Sequence, residues 1–505
     1  MRTFHEALDA VETYSPAEEL FNARRRTVGL FLGPALLLAL IAAPLPLPLP
    51  AHRLAGVMAM MVVFWVTEAL PLAITAMLGP VLAVLMGVAP ARAAFASFSD
   101  PVIFVFIGGL ILAEAMFVHG VDRRIAFTAL SHPSVGTSAT RILVAYGTIT
   151  MGLSMWMSNT ATTAMMYPIG LSIAAHLARA GAAGARHFAL MVMLMTSFSA
   201  SIGGLGTPVG TPPNLIGIGM LERLTGTDIT FFQWMAIGVP AMVLMFAFVA
   251  AQFALTGARG VAVGRSSLDI VHDEAARLGP LTVGERNVLI AFGVTVTLWL
   301  IPGLLTLGGE AGASFAPTYS QAVPESVAAM VGAFLLFLIP TDWRTRRFTL
   351  TWDEARKIDW GIVFLYGGGL AMGELAFQTG LADAMGQGVT SWLPSHDTVT
   401  LTVLFTASAI VLSEATSNTA AANMIIPVAI AVARSAGVRP IEPALGATLG
   451  ASMGFMMPVS TPPNAIVYSS GFVPITAMMR YGILLDAAGF AIIVALVLVL
   501  GPLVF

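Results

Sequence analysis

Polar and apolar positions along this chain are separated into long blocks rather than interleaved. Apolar runs cover about 28–49, 54–70, 72–90, 101–118, 188–221, 231–256, 285–307, 325–340, 358–376, 441–470 and 482–504. A helix needs roughly 20 residues to cross about 30 Å of hydrocarbon, so each run is read as a membrane span. Strands of a transmembrane β-barrel would alternate over roughly 10 residues, and no segment here does. The pattern predicts an all-α polytopic membrane protein with about eleven transmembrane helices. Two further apolar segments, about 142–177 and 399–434, are read as re-entrant hairpins.

Polar residues at the centres of those two segments set them apart. Ser158-Asn159-Thr160 lies in the first and Ser417-Asn418-Thr419 in the second. Each is followed by a Thr-Pro-Pro-Asn run, at Thr211-Pro212-Pro213-Asn214 and at Thr461-Pro462-Pro463-Asn464. Prolines and small polar residues at membrane depth leave backbone groups unpaired, at several kcal/mol each, unless they line a cavity or bind something. A matched pair of breaks in corresponding halves points to the binding site of a secondary transporter.

The halves match beyond these motifs. Gly108-Gly109-Leu110, Glu114, Phe117 and Gly120 correspond to Gly368-Gly369-Leu370, Glu374, Phe377 and Gly380 at a constant offset of 260. The Ser-Asn-Thr copies lie 417 − 158 = 259 apart and the Thr-Pro-Pro-Asn copies 461 − 211 = 250 apart. An odd number of crossings separates equivalent points, so the second copy is expected upside down. The expected organisation is a cytoplasmic tail (1–27), a first transmembrane helix (28–50) and a first repeat (51–257). A cytoplasmic linker (258–283) then leads to a second repeat (284–505). The first hairpin would enter from the cytoplasm and the second from outside, their tips meeting near the midplane. Two ordinary helix–turn–helix pairs that cross fully are the alternative.

Composition agrees with a membrane protein. Charged residues make up 10% of the chain and mean hydropathy is +0.86, whereas soluble domains carry about 25% charged residues. With the N-terminus inside and eleven spans, 19 of the 24 Lys and Arg fall on the cytoplasmic side, as the positive-inside rule asks. That orientation predicts a multi-pass protein of the cell inner (plasma) membrane with Phe505 outside. The polar residues before Arg24-Arg25-Arg26 do not resemble a secretory signal, whose basic residues precede a short apolar core. They are read as an irregular tail, with an amphipathic surface helix as the alternative. There are no cysteines, which excludes disulfides and thiol chemistry.

The tips combine complementary donors and acceptors. Helix N-termini favour anions, while carbonyl oxygens at C-terminal ends and unwound segments favour small hard cations. Asn offers a donor and an acceptor, and Ser and Thr hydroxyls serve either role. The set can therefore hold carboxylates and Na+ without a fixed charge. Asn214 and Asn464 are read as caps of the helices they begin, with direct ligation as the alternative. Of the embedded acids Glu68, Glu114, Glu374 and Glu414, the last lies closest to a motif; it is read as structurally paired rather than as a proton carrier. An enzyme is disfavoured because the eight histidines show no metal spacing, and Lys357, the sole lysine, follows no glycine-rich phosphate loop.

Ser154-Met155-Trp156-Met157-Ser158-Asn159-Thr160-Ala161-Thr162 with Gly210-Thr211-Pro212-Pro213-Asn214 closely resembles the divalent anion/sodium symporter family, the INDY-type transporters. Ser413-Glu414-Ala415-Thr416-Ser417-Asn418-Thr419 with Thr461-Pro462-Pro463-Asn464 resembles its second half, and the likeness extends over about 28–500. The Thr-Pro-Pro-Asn form is similar to the bacterial di- and tricarboxylate branch. The resemblance implies a homodimer in which a transport domain moves against a scaffold as an elevator. It implies Na+-coupled, electrogenic uptake of C4-dicarboxylates such as succinate, malate or fumarate. Sodium-independent exchangers and sulfate or citrate carriers are the alternatives within the family. By the same resemblance, one Na+ site maps to Ser154, Ser158, Asn159 and the Gly210 carbonyl. The second maps to Ser413, Thr416, Ser417, Asn418 and the Ser460 carbonyl. Carboxylate contacts map to Asn159, Thr160, Thr211, Asn418, Thr419 and Thr461, with Pro212 and Pro462 shaping the pocket. Ser413 stands where the family often has Thr, a change that keeps the hydroxyl.

Overall fold

A computed structural model describes residues 16–136, 138–179, 184–256 and 266–505. The first fifteen residues of the expected tail and linker residues 258–265 lie outside the described residues. Among the described residues nine helices are long and apolar enough to cross a membrane. The pair Glu310–Ala322 and Glu325–Leu338, bent by 61°, brings the number to ten. The difference from eleven has two sources. Helix Leu72–Leu85 has only 14 residues, and the run expected over 441–470 is interrupted between Ile441–Gly450 and Pro462–Tyr468. In the other direction, Thr398–Ala415 is of spanning length although it is one arm of the second hairpin.

Three segments outside the apolar runs carry helix. The first helix runs Pro16–Ala42, so it begins well inside the tail. Arg25 and Arg26 on it reach Glu68 at 2.8 and 3.5 Å, which ties this turn to the end of helix Leu49–Thr67. The segment after Leu307 forms helix Glu310–Ala322. The linker contains helix Ser266–Arg277, held to helix Val121–Leu130 by Arg123 and Glu274 at 2.5 Å. Arg124 donates to Glu285 (2.6 Å) and to the carbonyls of Leu278 and Gly279 (3.0 Å each). A reciprocal capping box between Thr282 and Glu285 then starts helix Val283–Leu307.

The two halves carry the same succession of elements. Helix Pro101–His119 ends at Gly120 (φ 70°) and turns into Val121–Leu130; Trp360–Thr379 ends at Gly380 (φ 81°) and turns into Leu381–Thr390. Both glycines occupy the left-handed region, which a side chain would disfavour. A hairpin follows in each half, Ala139–Ser154 with Asn159–Arg179 and Thr398–Ala415 with Asn418–Ser435. Pro168 and Pro427 fall ten residues after Ser158 and Ser417 (168 − 158 and 427 − 417). Each hairpin leads to an interrupted helix, Ala185–Gly203 with Pro212–Thr225 and Ile441–Gly450 with Pro462–Tyr468. Each half closes with a long helix, Phe231–Thr256 or Ile475–Val504.

Packing interlocks the halves. Helix Pro212–Thr225 lies against Asn418–Ser435, and Pro462–Tyr468 lies against both Asn159–Arg179 and Ala185–Gly203. Each break therefore sits beside the other half's hairpin. Helix Ala185–Gly203 is buried almost throughout, and Gly203 lets it approach the hairpin arm: a Cβ there would come within 2.2 Å of the Met151 carbonyl. Small residues at such crossings allow backbones to meet closely in membrane proteins. The core between the halves is aromatic. Phe198 meets Phe455 edge-on at 5.2 Å, and Phe253 meets Tyr481 at 5.4 Å. At the first hairpin's tip Trp156 stacks on Phe231 at 6.1 Å and meets Phe292 edge-on. Farther along, Arg223 reaches Glu374 at 2.8 Å and Asp100 at 3.6 Å, while the Tyr366 hydroxyl donates to Asp100.

Candidate functional site

Each tip is built by a serine that closes on an asparagine five residues later. Ser154 Oγ donates to Asn159 Oδ1 at 2.9 Å, and Ser413 Oγ donates to Asn418 Oδ1 at 2.8 Å. Ser158 Oγ accepts from the Ala161 N–H and Ser417 Oγ from the Ala420 N–H, both at 3.2 Å. Hydroxyl capping of this kind starts the second arm of each hairpin and leaves the Asn side chains facing inward. Asn159 and Asn418 thus stand on the first turn of their helices, with Thr160 and Thr419 beside them.

The breaks are held just as regularly. Asn214 Nδ2 donates to the carbonyls of Gly204 and Thr207 at 2.8 Å each. Asn464 Nδ2 donates to those of Gly454 (2.9 Å) and Met457 (3.0 Å). The four acceptors correspond at the 250-residue offset of the motifs. These asparagines therefore point back onto the unwound segment; they are not caps of the helices they begin. Pro212 and Pro462 stand in the first turn of those helices and bring no N–H of their own. Both asparagines are fully buried, and Asn464 Oδ1 also accepts from Ser197 Oγ of the first half.

Tip and break meet in each half. A Cβ at Gly204 would lie 2.5 Å from Asn159 Oδ1 and 3.1 Å from the Thr211 side chain. One at Gly454 would lie 3.1 Å from Asn418 Oδ1 and 3.2 Å from the Ser460 side chain. Asn418 Nδ2 also donates to the Ser452 carbonyl (3.3 Å), and Ser413 Oγ to that of Ala451 (2.8 Å). Gly210 packs on the Gly204 carbonyl. Ser154, Gly210, Ser413, Thr416 and Ser460 are buried, while Asn159, Thr160, Pro212, Asn418 and Thr419 are partly open and Pro462 is exposed. Oxygen-rich groups thus form a deep layer under a more accessible polar surface. The Thr416 hydroxyl bonds its own helix at the Leu412 carbonyl, and the Thr461 hydroxyl caps Asn464 N–H.

Glu414 is woven into the second break. Its Oε1 accepts from the Phe455 and Met456 N–H groups at 2.5 and 2.8 Å, and its Oε2 from Ser460 Oγ at 2.8 Å. Of the other embedded acids, Glu68 pairs with Arg25 and Glu374 with Arg223. Gly204, Gly454 and Ser452 belong to the site as well and lie outside the sequence motifs. The two glycines share the motif offset, the one signal that could have picked them out. Gly204→Ala is expected to displace Asn159 and to lose most transport in a vesicle uptake assay. Gly454→Ala, with more space, is expected to retain more.

Paired hairpins and interrupted helices around a duplicated Asn, Ser and Thr site define a secondary transporter of the broken-helix class. The sequence comparison agrees. Residues 25–505 match the family described as "Sodium:sulfate symporter transmembrane region", and the chain belongs to this family of sodium symporters. It is a membrane transporter and not an enzyme. It is 31% identical over 484 residues to the sodium-dependent dicarboxylate transporter SdcS of Staphylococcus saprophyticus, covering 94% of this chain and 91% of that protein. With SdcS of Staphylococcus aureus strain MRSA252 it shares 30% over 492 residues, at the same coverage. Among solved structures, the YdaH transporter of Alcanivorax borkumensis superposes with a TM-score of 0.54. That match is 13% identical and covers 90% of this chain and 99% of that one. MtrF of Neisseria gonorrhoeae gives 0.51 at 11% identity, covering 90% and 95%. These two similarities concern the fold alone.

Proposed function

We propose that the chain couples Na+ entry to the uptake of C4-dicarboxylates through the duplicated site. The observation that carries this reading is the pairing of each tip asparagine with the other components of its own break, twice over, with no basic side chain in either motif. Helices Asn159–Arg179, Asn418–Ser435 and Pro212–Thr225 all begin there. Each helix start carries roughly half a positive charge, which suits two separated carboxylates. The buried Ser, Thr, Asn and carbonyl oxygens supply neutral ligands for Na+. Asn159, Thr160, Thr211, Asn418, Thr419 and Thr461 bind the dicarboxylate, with Pro212 and Pro462 as walls. Ser154, Ser158, Asn159 and Gly210 form one cation site. Ser413, Thr416, Ser417, Asn418 and Ser460 form the other. The Staphylococcus relatives, named as sodium-dependent dicarboxylate transporters, support this substrate class.

Carrying a dianion into a negative interior costs about 2.3 kcal/mol per charge for each 100 mV. More than two co-transported Na+ reverse that sign and make uptake electrogenic. In the proposed cycle the hairpins and interrupted helices travel together as an elevator within each protomer of a homodimer. The N-terminus lies in the cytoplasm and Phe505 outside, across the cell's inner membrane. Linkage requires that Na+ and dicarboxylate raise each other's affinity by the same factor. Succinate binding to the purified protein, followed by thermal unfolding, is expected to stabilise it in Na+ and not in K+. Equal stabilisation in both salts would favour a sodium-independent exchanger, and stabilisation only by sulfate or citrate would reassign the substrate.

A further inference from the structure

Away from the tips and breaks, a cavity of about 250 Å3 lies where helices Leu49–Thr67, Trp360–Thr379 and Leu381–Thr390 meet the hairpin arm Asn418–Ser435. Its walls are almost wholly apolar, with Met58, Met61, Met372, Met385 and Met424 set around Trp65. Methionine side chains adapt to guests of different shape. One polar group breaks this lining. Asn423 is 4% exposed, and its Nδ2 donates to the Thr419 carbonyl one turn back at 2.9 Å. Its Oδ1 is buried and has no hydrogen-bond partner among the described residues. That oxygen lies over Gly369, another wall residue, where a Cβ would come within 1.7 Å of it. Buried acceptors are nearly always paired, and a lone one is costly. The equivalent position of the first hairpin, 423 − 259 = 164, holds Ala164. The hairpin fold therefore does not itself require an acceptor at this place.

We propose that this cavity binds a small apolar molecule with a single hydroxyl donor, of the alkylphenol class, and that its occupation stops transport. The hydroxyl donates to Asn423 Oδ1, and the hydrocarbon body fills the methionine-lined space. A dry cavity of about 150 Å3 already holds benzene, so this larger volume takes a ring with a short alkyl tail. Apolar walls with one acceptor and no donor for an anion reject carboxylates, which sets the cavity apart from the dicarboxylate site. Val62, at its edge on helix Leu49–Thr67, is exposed, so an apolar guest has a way in along the surface of that span. The arrest of transport rests on the elevator reading above. In that cycle the arm Asn418–Ser435 travels with its hairpin, whereas Leu49–Thr67 is neither hairpin nor interrupted helix and stays behind. A guest wedged between the two resists their sliding whether or not substrate is bound. It therefore lowers the maximal rate and leaves KM in place.

The test compares para-butylphenol with its methyl ether, which has the same body and no donor. Each is titrated against thermal unfolding of the purified full chain and against labelled succinate uptake in vesicles. In the wild type the phenol is expected to stabilise the protein and slow uptake at a concentration about tenfold lower than the ether. Asn423→Ala removes the acceptor and should make phenol and ether equal, each variant being scored against its own uninhibited rate. Ala59→Phe fills the cavity from helix Leu49–Thr67 and should abolish stabilisation by the phenol. Equal potency of phenol and ether in the wild type, or an undiminished advantage of the phenol in Asn423→Ala, would overturn the site. Inhibition that raises KM at a constant maximal rate would overturn it by moving the phenol to the dicarboxylate site. Asn423-dependent stabilisation without slower uptake would overturn the arrest, and with it the placing of Leu49–Thr67 on the stationary side. A wild type that moves no succinate would remove the dicarboxylate reading instead, and the stabilisation would still decide the cavity.

Discussion

Asn159→Ala and Asn418→Ala are each expected to abolish Na+-driven dicarboxylate uptake, to below about 1% of wild type. Each change removes a carbonyl oxygen that Ser154 or Ser413 already holds in place and an amide that faces the break. In the proposed site the same side chain contacts cation and anion, so its loss weakens both ligands and the coupling between them. Two lost charge-assisted contacts at about 1.5–3 kcal/mol each correspond to a loss of more than a hundredfold. The folded protein should survive, because both side chains are only partly buried. Uptake of labelled succinate and the melting temperature, measured on the same preparations, check both halves of this expectation. Retention of more than a tenth of the uptake by either variant would place the substrate elsewhere.

Asn464→Leu is expected to act through the fold. Its amide is the donor to the Gly454 and Met457 carbonyls, and its oxygen accepts from Ser197 of the other half. Leucine fits the volume and satisfies none of the three. Leaving buried polar groups unpaired costs about 1–3 kcal/mol each, so a loss of several kcal/mol and little folded protein are expected. Asn214→Leu strips the first break in the same way but severs no bond between the halves, since Asn214 Oδ1 has no partner among the described residues. It should therefore be the milder change. Yield by size-exclusion chromatography and thermal unfolding in detergent would rank the two.

The helical membrane class and the breaks were readable because lipid tolerates polar, proline-containing sequence only at special places, and here each such place occurs twice. The direction of Asn214 and Asn464 was not readable. Their type suits a helix cap, and only the path of the unwound backbone shows that the amides turn back toward Gly204, Thr207, Gly454 and Met457. Glu414 was visible as a buried acid needing a partner. Its partners are mainly backbone N–H groups at Phe455 and Met456, which leave no mark on side-chain identity. The linker shows in the sequence only as a cytoplasmic stretch between the repeats, and Arg123 and Arg124 only as charges that orient the chain. Their reach to Glu274, Glu285 and the carbonyls after Leu278 is a tertiary fact. The short helix Leu72–Leu85 falls below spanning length although its composition does not.

In the proposed function, Na+ gradients drive dicarboxylate uptake through this duplicated site. It is tested most directly by labelled succinate flux into proteoliposomes with an inward Na+ gradient, set against K+ alone, at zero and at inside-negative potential. The expected result is uptake that requires Na+ and rises when the interior is made negative. Uptake that ignores Na+ but requires dicarboxylate inside the vesicles would contradict it and make the protein an exchanger.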